Sequence, residues 1–139
     1  ACALLTREEV SQILHHEFTD PNHKIQRDDS GRVVLSSCTF VPADETSFAS
    51  LNLLVLRRTG TTDPPRAIEA HLRSLRQALG DEDFSLEKVE VGEAAGYVPS
   101  MGQMVVFDKE RLFVLTLHRR SGKDTKTILT QLARASLSG

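Results

Sequence analysis

Apolar positions recur with helical spacing in three segments of the chain. The first follows Thr6 and Glu9, which have the spacing of a capping box and mark the start of a helix. The second, residues 64–79, has apolar side chains at intervals of four, three and four, with a proline at its first position. The third, residues 128–137, is rich in alanine and leucine. The pattern predicts three amphipathic helices that lie on a core.

The segments between these helices have the apolar and β-branched patterns of strands. They are residues 24–27, 33–41, 47–58, 84–91, 103–107 and 112–118. The nearly continuous apolar run at 51–56 is typical of a central strand covered on both faces. Residues 92–97 are small and turn-rich, and they are predicted to form a loop.

Hairpin connections dominate this arrangement, which favours an antiparallel sheet. The predicted fold is therefore α+β, with an antiparallel sheet of about five to six strands and three helices packed against it. The predicted order is α-β-β-β-α-β-β-β-α. Nothing in the pattern splits the chain, so residues 1–139 are predicted to form a single globular domain.

Composition narrows the classes of partner. The chain is 40% hydrophobic and 26% charged, as in ordinary soluble globular proteins. Its net charge of −2 argues against non-specific binding of nucleic acid, which requires a basic surface. No apolar run approaches the roughly 18 residues of a membrane span.

The two cysteines, Cys2 and Cys38, allow a single pairing. Cys38 lies in the middle of a predicted strand, and a bridge to Cys2 would clamp the start of the first helix to that strand. The same residues are also compatible with two buried thiols in a cytosolic protein. A third alternative is a lipidated Cys2, although the helix start at Thr6 leaves little chain for a tether.

The candidate motifs for catalysis and metal binding do not have the residue spacing that these functions require. The Gly-Lys pair at residues 122–123 lacks both the upstream glycine and the following Ser or Thr of a phosphate-binding loop. His15 and His16 are adjacent, so they point in different directions on a helix and do not form a zinc pair. The chain has no Gly-x-Ser-x-Gly nucleophile motif. We therefore predict no catalytic residues, no metal and no cofactor.

Four arginines form the remaining candidate site. Arg57 and Arg58 end one predicted strand and Arg119 and Arg120 follow another, so these strand ends, if they are neighbours, would make a basic patch for an anionic ligand or partner. Tyr97, the single tyrosine, is predicted as a further contact at the end of the 92–97 segment.

Four features, taken in order, resemble a known family. They are Cys-x-Leu-Leu-Thr at residues 2–6, Cys-x-aromatic at 38–40, Gly-acidic-Ala-Ala at 92–95, and a hairpin followed by a terminal helix. Together they resemble the small extracytoplasmic domains of unknown function in bacterial lipoproteins and envelope proteins, best known from actinobacteria. One departure is the turn at residues 108–111, which has no glycine where the family usually has one.

The resemblance implies a Cys2–Cys38 disulfide, a location outside the cytoplasmic membrane and no enzymatic activity. The leading hypothesis is a non-enzymatic binding or sensor domain of the bacterial envelope. Its sheet, or a groove beside residues 92–102, would contact an envelope protein or an apolar small molecule. Contact with a membrane is expected only through a lipid anchor outside this chain. The alternative is a cytosolic accessory protein or small enzyme with free thiols and the arginine patch. A structural option is a homodimer formed through the strand edge at residues 24–27.

Overall fold

A computed structural model describes residues 4–43, 48–57, 63–79, 86–109, 111–119 and 125–138. In chain order the elements are α1 (Arg7–Leu14), β1 (Asn22–Arg27), β2 (Val33–Phe40), β3 (Phe48–Arg57), α2 (Pro64–Leu79), β4 (Glu87–Val89), β5 (Ala94–Val98), β6 (Gln103–Asp108), β7 (Arg111–Arg119) and α3 (Thr125–Ser138). A short 3₁₀ turn, Pro99–Met101, separates β5 from β6. The described residues thus form the predicted α+β class.

The strands of the described residues make one seven-stranded sheet in the order β1-β2-β3-β7-β6-β5-β4. Every neighbouring pair is antiparallel. The predicted number of strands, about five to six, was too low, and the predicted order lacked one strand in its second half. The missed strand is β5, which occupies residues predicted to be a loop.

β5 contains small residues, and one of them, Gly96, leaves space for the side chain of Leu86. An ideal Cβ at Gly96 would lie 2.5 Å from Cδ1 and 2.7 Å from Cγ of Leu86. The missing side chain therefore lets Leu86 lie directly on the backbone of β5. β5 pairs with β6 over its whole length, and this pairing compensates for the weak strand propensity of its sequence.

The capping box predicted at the start of α1 is present. The Glu9 amide donates to Thr6 Oγ1 at 3.2 Å, and the Thr6 amide donates to Glu9 Oε1 at 3.1 Å. The helix ends at His15, which takes a left-handed conformation with φ of 54°. Leu5, Val10 and the last residues of the helix lie in the core. Local sequence signals therefore determine both where α1 begins and how it faces the sheet.

The sheet buries apolar side chains on both faces. On the first, the α1/α3 face, Val10 of α1 and Leu129 and Leu132 of α3 join one cluster with side chains from five strands. On the second, the α2 face, Ile68 packs with Val105, Phe107, Leu112 and Val114. α2 lies over β5 and β6, and α3 lies over β6 and β7. The sheet is thus the middle layer of the fold.

Cys38 lies in β2, two residues before its end, on the α1/α3 face. Its side chain is completely buried, and it is not a free thiol. Cys2 lies outside the described residues, so the predicted pairing remains a prediction at this point. The glycine-free hairpin turn between β6 and β7 is also present, and Lys109 adopts the left-handed conformation there with φ of 50°.

Candidate functional site

A cleft opens between α2 and the β4–β5 hairpin, at one edge of the sheet. Its volume is about 550 Å³. The apolar side chains of its lining are Ile68, Leu86, Val89, Val91, Ala94 and Ala95. Gly92 and four charged side chains, Glu69, Lys88, Glu90 and Glu93, complete the described lining. A concave apolar site with a few polar groups is the usual form of a small-molecule site.

The connection between β4 and β5 is hydrogen-bonded to the β6–β7 hairpin. The Glu93 amide donates to the Phe107 carbonyl at 3.0 Å, and the Lys109 amide donates to Glu93 Oε2 at 3.2 Å. Gly92 turns the chain with φ of +61°, and a Cβ there would lie 3.0 Å from Val106 Cγ1. These contacts hold one wall of the cleft in place without a ligand.

The opposite wall, α2, is connected to the sheet by polar side chains that are partly or fully buried. The His71 imidazole donates from Nε2 to Gln103 Oε1 at 3.1 Å, because Gln103 Nε2 itself donates to Thr116 Oγ1 at 3.1 Å. Gln103 is only 5% exposed. On the same row of the sheet, the Thr39 hydroxyl donates to Asn52 Oδ1 at 3.3 Å, and Asn52 is the cross-strand partner of Thr116. This polar row positions the helix that carries Ile68 and Glu69 to the cleft.

Replacing Gln103 with alanine is expected to lower the free energy of unfolding by about 1–3 kcal/mol, because the substitution leaves Thr116 and His71 without this partner in a poorly hydrated place. Urea unfolding followed by circular dichroism measures the change. Gln131→Ala, on the exposed face of α3, is the matched control and should change stability by less than about 0.5 kcal/mol. Equal unfolding midpoints for the two variants would contradict a structural role for the polar row.

The sheet register does not bring the predicted arginines together. Arg57 lies opposite Arg111, whereas Arg119 lies opposite Phe48 at the other end of the β3–β7 pair. These ends are roughly 27 Å apart at the usual rise of a strand. Arg58 and Arg120 lie outside the described residues. The predicted basic patch required Arg57 and Arg119 to lie at neighbouring strand ends. The register places these two residues at opposite ends of the β3–β7 pair.

Tyr97 lies in the core rather than in the cleft. It is 9% exposed and belongs to the cluster on the α1/α3 face. Burial raises the pKa of its phenol, and the nearby Glu87 carboxylate raises the pKa further, while Lys126 acts in the opposite direction. Glu87 and Lys126 form an ion pair at 3.0 Å. Tyr97 is thus part of the packed α1/α3 face of the sheet.

A second depression, of about 620 Å³, lies beside α1. Its described lining is mostly polar and includes Glu8, Ser11, Gln12, Glu17 and Ala43. Arg7, which also lines it, pairs with Asp20 at 3.0 Å and with Glu8 at 3.5 Å. With fewer apolar side chains than the cleft, this second depression offers less apolar surface for a ligand to bury.

The sequence analysis predicted a contact surface on the sheet or in a groove beside residues 92–102, and the described lining of the cleft includes residues 92–95 of this segment. Ile68 and Leu86 were predicted only as apolar positions of a helix and a strand, and the polar row was not predicted. A signal for the row exists: Asn52 and Thr116 each interrupt an otherwise apolar strand. Adjacent strands with such interruptions at matching positions indicate a buried polar row.

No protein-family model matches the chain, and comparison with curated proteins and with solved structures finds no significant match. Within the described residues, no helix is long and apolar enough to cross a membrane. No group of three or more His, Cys, Asp or Glu side chains in that part of the chain could hold a metal ion. Function is therefore argued from the site itself.

Proposed function

We propose that this chain is a non-enzymatic binding or sensor domain of a bacterial envelope protein or lipoprotein. Its ligand, an apolar small molecule or an apolar group of an envelope protein, occupies the cleft between α2 and the β4–β5 hairpin. The observation that supports the proposal most directly is the apolar lining of this cleft. It consists of six side chains on two walls that are anchored to the rest of the fold. Burial of apolar surface at about 25 cal/mol per Å² supplies the driving force.

The walls of the cleft suit binding because little has to be ordered when a ligand enters. Leu86 lies against the backbone at Gly96, and Glu93 is anchored to the β6–β7 hairpin. A site that is already formed loses less side-chain entropy on binding than a flexible one. In a sensor, a ligand that contacts Ile68 and Glu69 would act on α2, which His71 connects to the sheet.

The extracytoplasmic location rests on the family resemblance and on the cysteines. Cys38 is fully buried and is not a free thiol, and the chain contains only one other cysteine. We therefore propose that Cys2 and Cys38 are bridged and that the protein functions in an oxidising compartment. The cytosolic alternative required free thiols and an arginine patch, and the separation of Arg57 from Arg119 gives that patch no support.

Filling the cleft is expected to abolish binding of an apolar probe. In the parent protein, n-octanol should cause saturable shifts of the backbone amides of residues 88–95 in two-dimensional ¹H–¹⁵N spectra. Ala94→Leu places extra side-chain volume in the cleft and should weaken this binding about tenfold or more, which is about 1.4 kcal/mol. Ala43→Leu, which makes the same change in the second depression, should leave binding unchanged.

Two results would overturn the proposal. The first is the absence of saturable shifts at residues 88–95 in the folded parent protein. The second is that Ala94→Leu and Ala43→Leu bind n-octanol equally well. Thermal unfolding of both variants shows whether a loss of binding reflects a filled cleft or a loss of structure. Saturable turnover of any small substrate would contradict the non-enzymatic part of the proposal.

A further inference from the structure

We propose that the cleft between α2 and the β4–β5 hairpin selects cationic amphiphiles, namely small molecules that carry a primary ammonium group on an aliphatic chain. This inference rests on the proposed function, because it assumes that the cleft is the binding site. It is carried by the charges around the apolar lining. Three carboxylates, Glu69, Glu90 and Glu93, and one ammonium, Lys88, line the cleft.

The carboxylates approach the cleft from different parts of the fold. Glu69 is presented by α2, and Glu90 and Glu93 by the connection between β4 and β5. Together with Lys88 they leave an excess of two negative charges around the opening. A ligand group placed between α2 and the β4–β5 connection therefore has acidic side chains on both sides, which favours a cation and disfavours an anion.

The acidic groups retain capacity to accept hydrogen bonds from a ligand. The ion pairs of the described residues do not include Glu69, Lys88, Glu90 or Glu93. Glu93 accepts the Lys109 amide at Oε2, but an ionised carboxylate has about four lone-pair sites, so acceptor capacity remains. An ammonium group has three donors and no acceptor, which matches the three carboxylates of the rim, since an ionised carboxylate only accepts.

The apolar lining determines the rest of the ligand. Ile68, Leu86 and Val89 provide aliphatic surface next to the carboxylates. A bare cation would leave this surface in contact with water, whereas an alkyl chain would cover it. The combination of an apolar lining and an acidic rim thus fits an alkylammonium ion better than an inorganic cation, an alcohol or a fatty acid.

Three probes with the same chain length test this selectivity: octylammonium, n-octanol and octanoate. Near neutral pH and low salt, octylammonium should bind about tenfold more tightly than n-octanol, and octanoate should bind most weakly. Raising the salt concentration from about 50 to about 300 mM should remove most of this preference, because exposed charges are screened. Amide shifts of residues 88–95 measure all three affinities at the same site.

A charge-neutralised pair of variants identifies the groups responsible. In the variant Glu69→Gln/Glu90→Gln, octylammonium should bind with an affinity close to that of n-octanol measured in the same variant. Glu8→Gln/Glu17→Gln removes the same charge from the second depression and should leave the preference intact. Equal binding of the three probes to the parent protein would overturn the selectivity but not the binding function. Absence of binding by all three would overturn both.

Discussion

The Cys2→Ala variant is expected to lose about 3–4 kcal/mol of its free energy of unfolding, because a bridge to Cys38 would restrict the unfolded chain over the long loop between the two positions. Domains of this size are usually stable by only about 5–15 kcal/mol, so the loss is a large fraction of the total. Urea unfolding of protein produced in an oxidising compartment measures it. Cys2 suits this test better than Cys38, whose replacement would also disturb the core.

A double-mutant cycle separates the bridge from ordinary packing. If the two sulfurs are bonded, adding Cys2→Ala to Cys38→Ala should cost almost nothing further, because the bridge is already absent. Intact mass after alkylation gives an independent reading: the unreduced parent should take up no label until reductant is added. A Cys2→Ala variant as stable as the parent would exclude the bridge and remove the main chemical support for an extracytoplasmic location.

The Gly102→Ala variant is expected to lose about 2–4 kcal/mol, since two penalties coincide at this position. Gly102 has a left-handed conformation with φ of +57°, and a Cβ there would lie 2.9 Å from the Leu117 carbonyl oxygen. That oxygen is backbone in a central strand and cannot rotate away. The Gly102 carbonyl also accepts the Leu117 amide at 3.0 Å, so a local shift would disturb the β6–β7 pairing. Thermal and urea unfolding measure the loss.

Gly31→Ala is the matched control for this prediction. Gly31 is also left-handed, with φ of +84°, but a Cβ there would have no atom within 4 Å. It should therefore cost only the left-handed penalty of about 1–2 kcal/mol. If both substitutions destabilise the protein equally, the close approach of Leu117 is not the cause of the loss at Gly102.

Elements with local determinants could be predicted from the sequence. The start of α1 depends on Thr6 and Glu9, three residues apart, and both side chains make the expected hydrogen bonds. α2 begins at Pro64 as predicted, because proline at the first helical position sacrifices no helical hydrogen bond.

β5 could not be predicted because its determinant is a tertiary contact. Gly96 resembles a turn residue in the sequence, and only the position of Leu86 shows that its missing side chain is filled by a neighbouring residue. The small residues at 92–97 were therefore predicted to form a loop, although most of them belong to β5. Strand formation here depends on pairing with β6, which no local window contains.

Contacts between distant strands were equally hidden. The arginine patch required the ends of β3 and β7 to coincide, and antiparallel pairing placed Arg57 and Arg119 at opposite ends. The same register brings Asn52 and Thr116 together, which produces part of the polar row under α2. Knowledge that β3 pairs with β7 would have corrected the predicted arginine patch and revealed part of the polar row.

The pairing of β3 with β7 also shapes how the chain reaches this structure. Every other strand pair joins strands that follow one another in sequence: β1-β2-β3 on one side and β4-β5-β6-β7 on the other. Such hairpins close short loops and form quickly, whereas β3 and β7 are separated in the sequence by α2, β4, β5 and β6. The two meanders should therefore form before the transition state for folding, and their meeting along β3 and β7 should limit the rate.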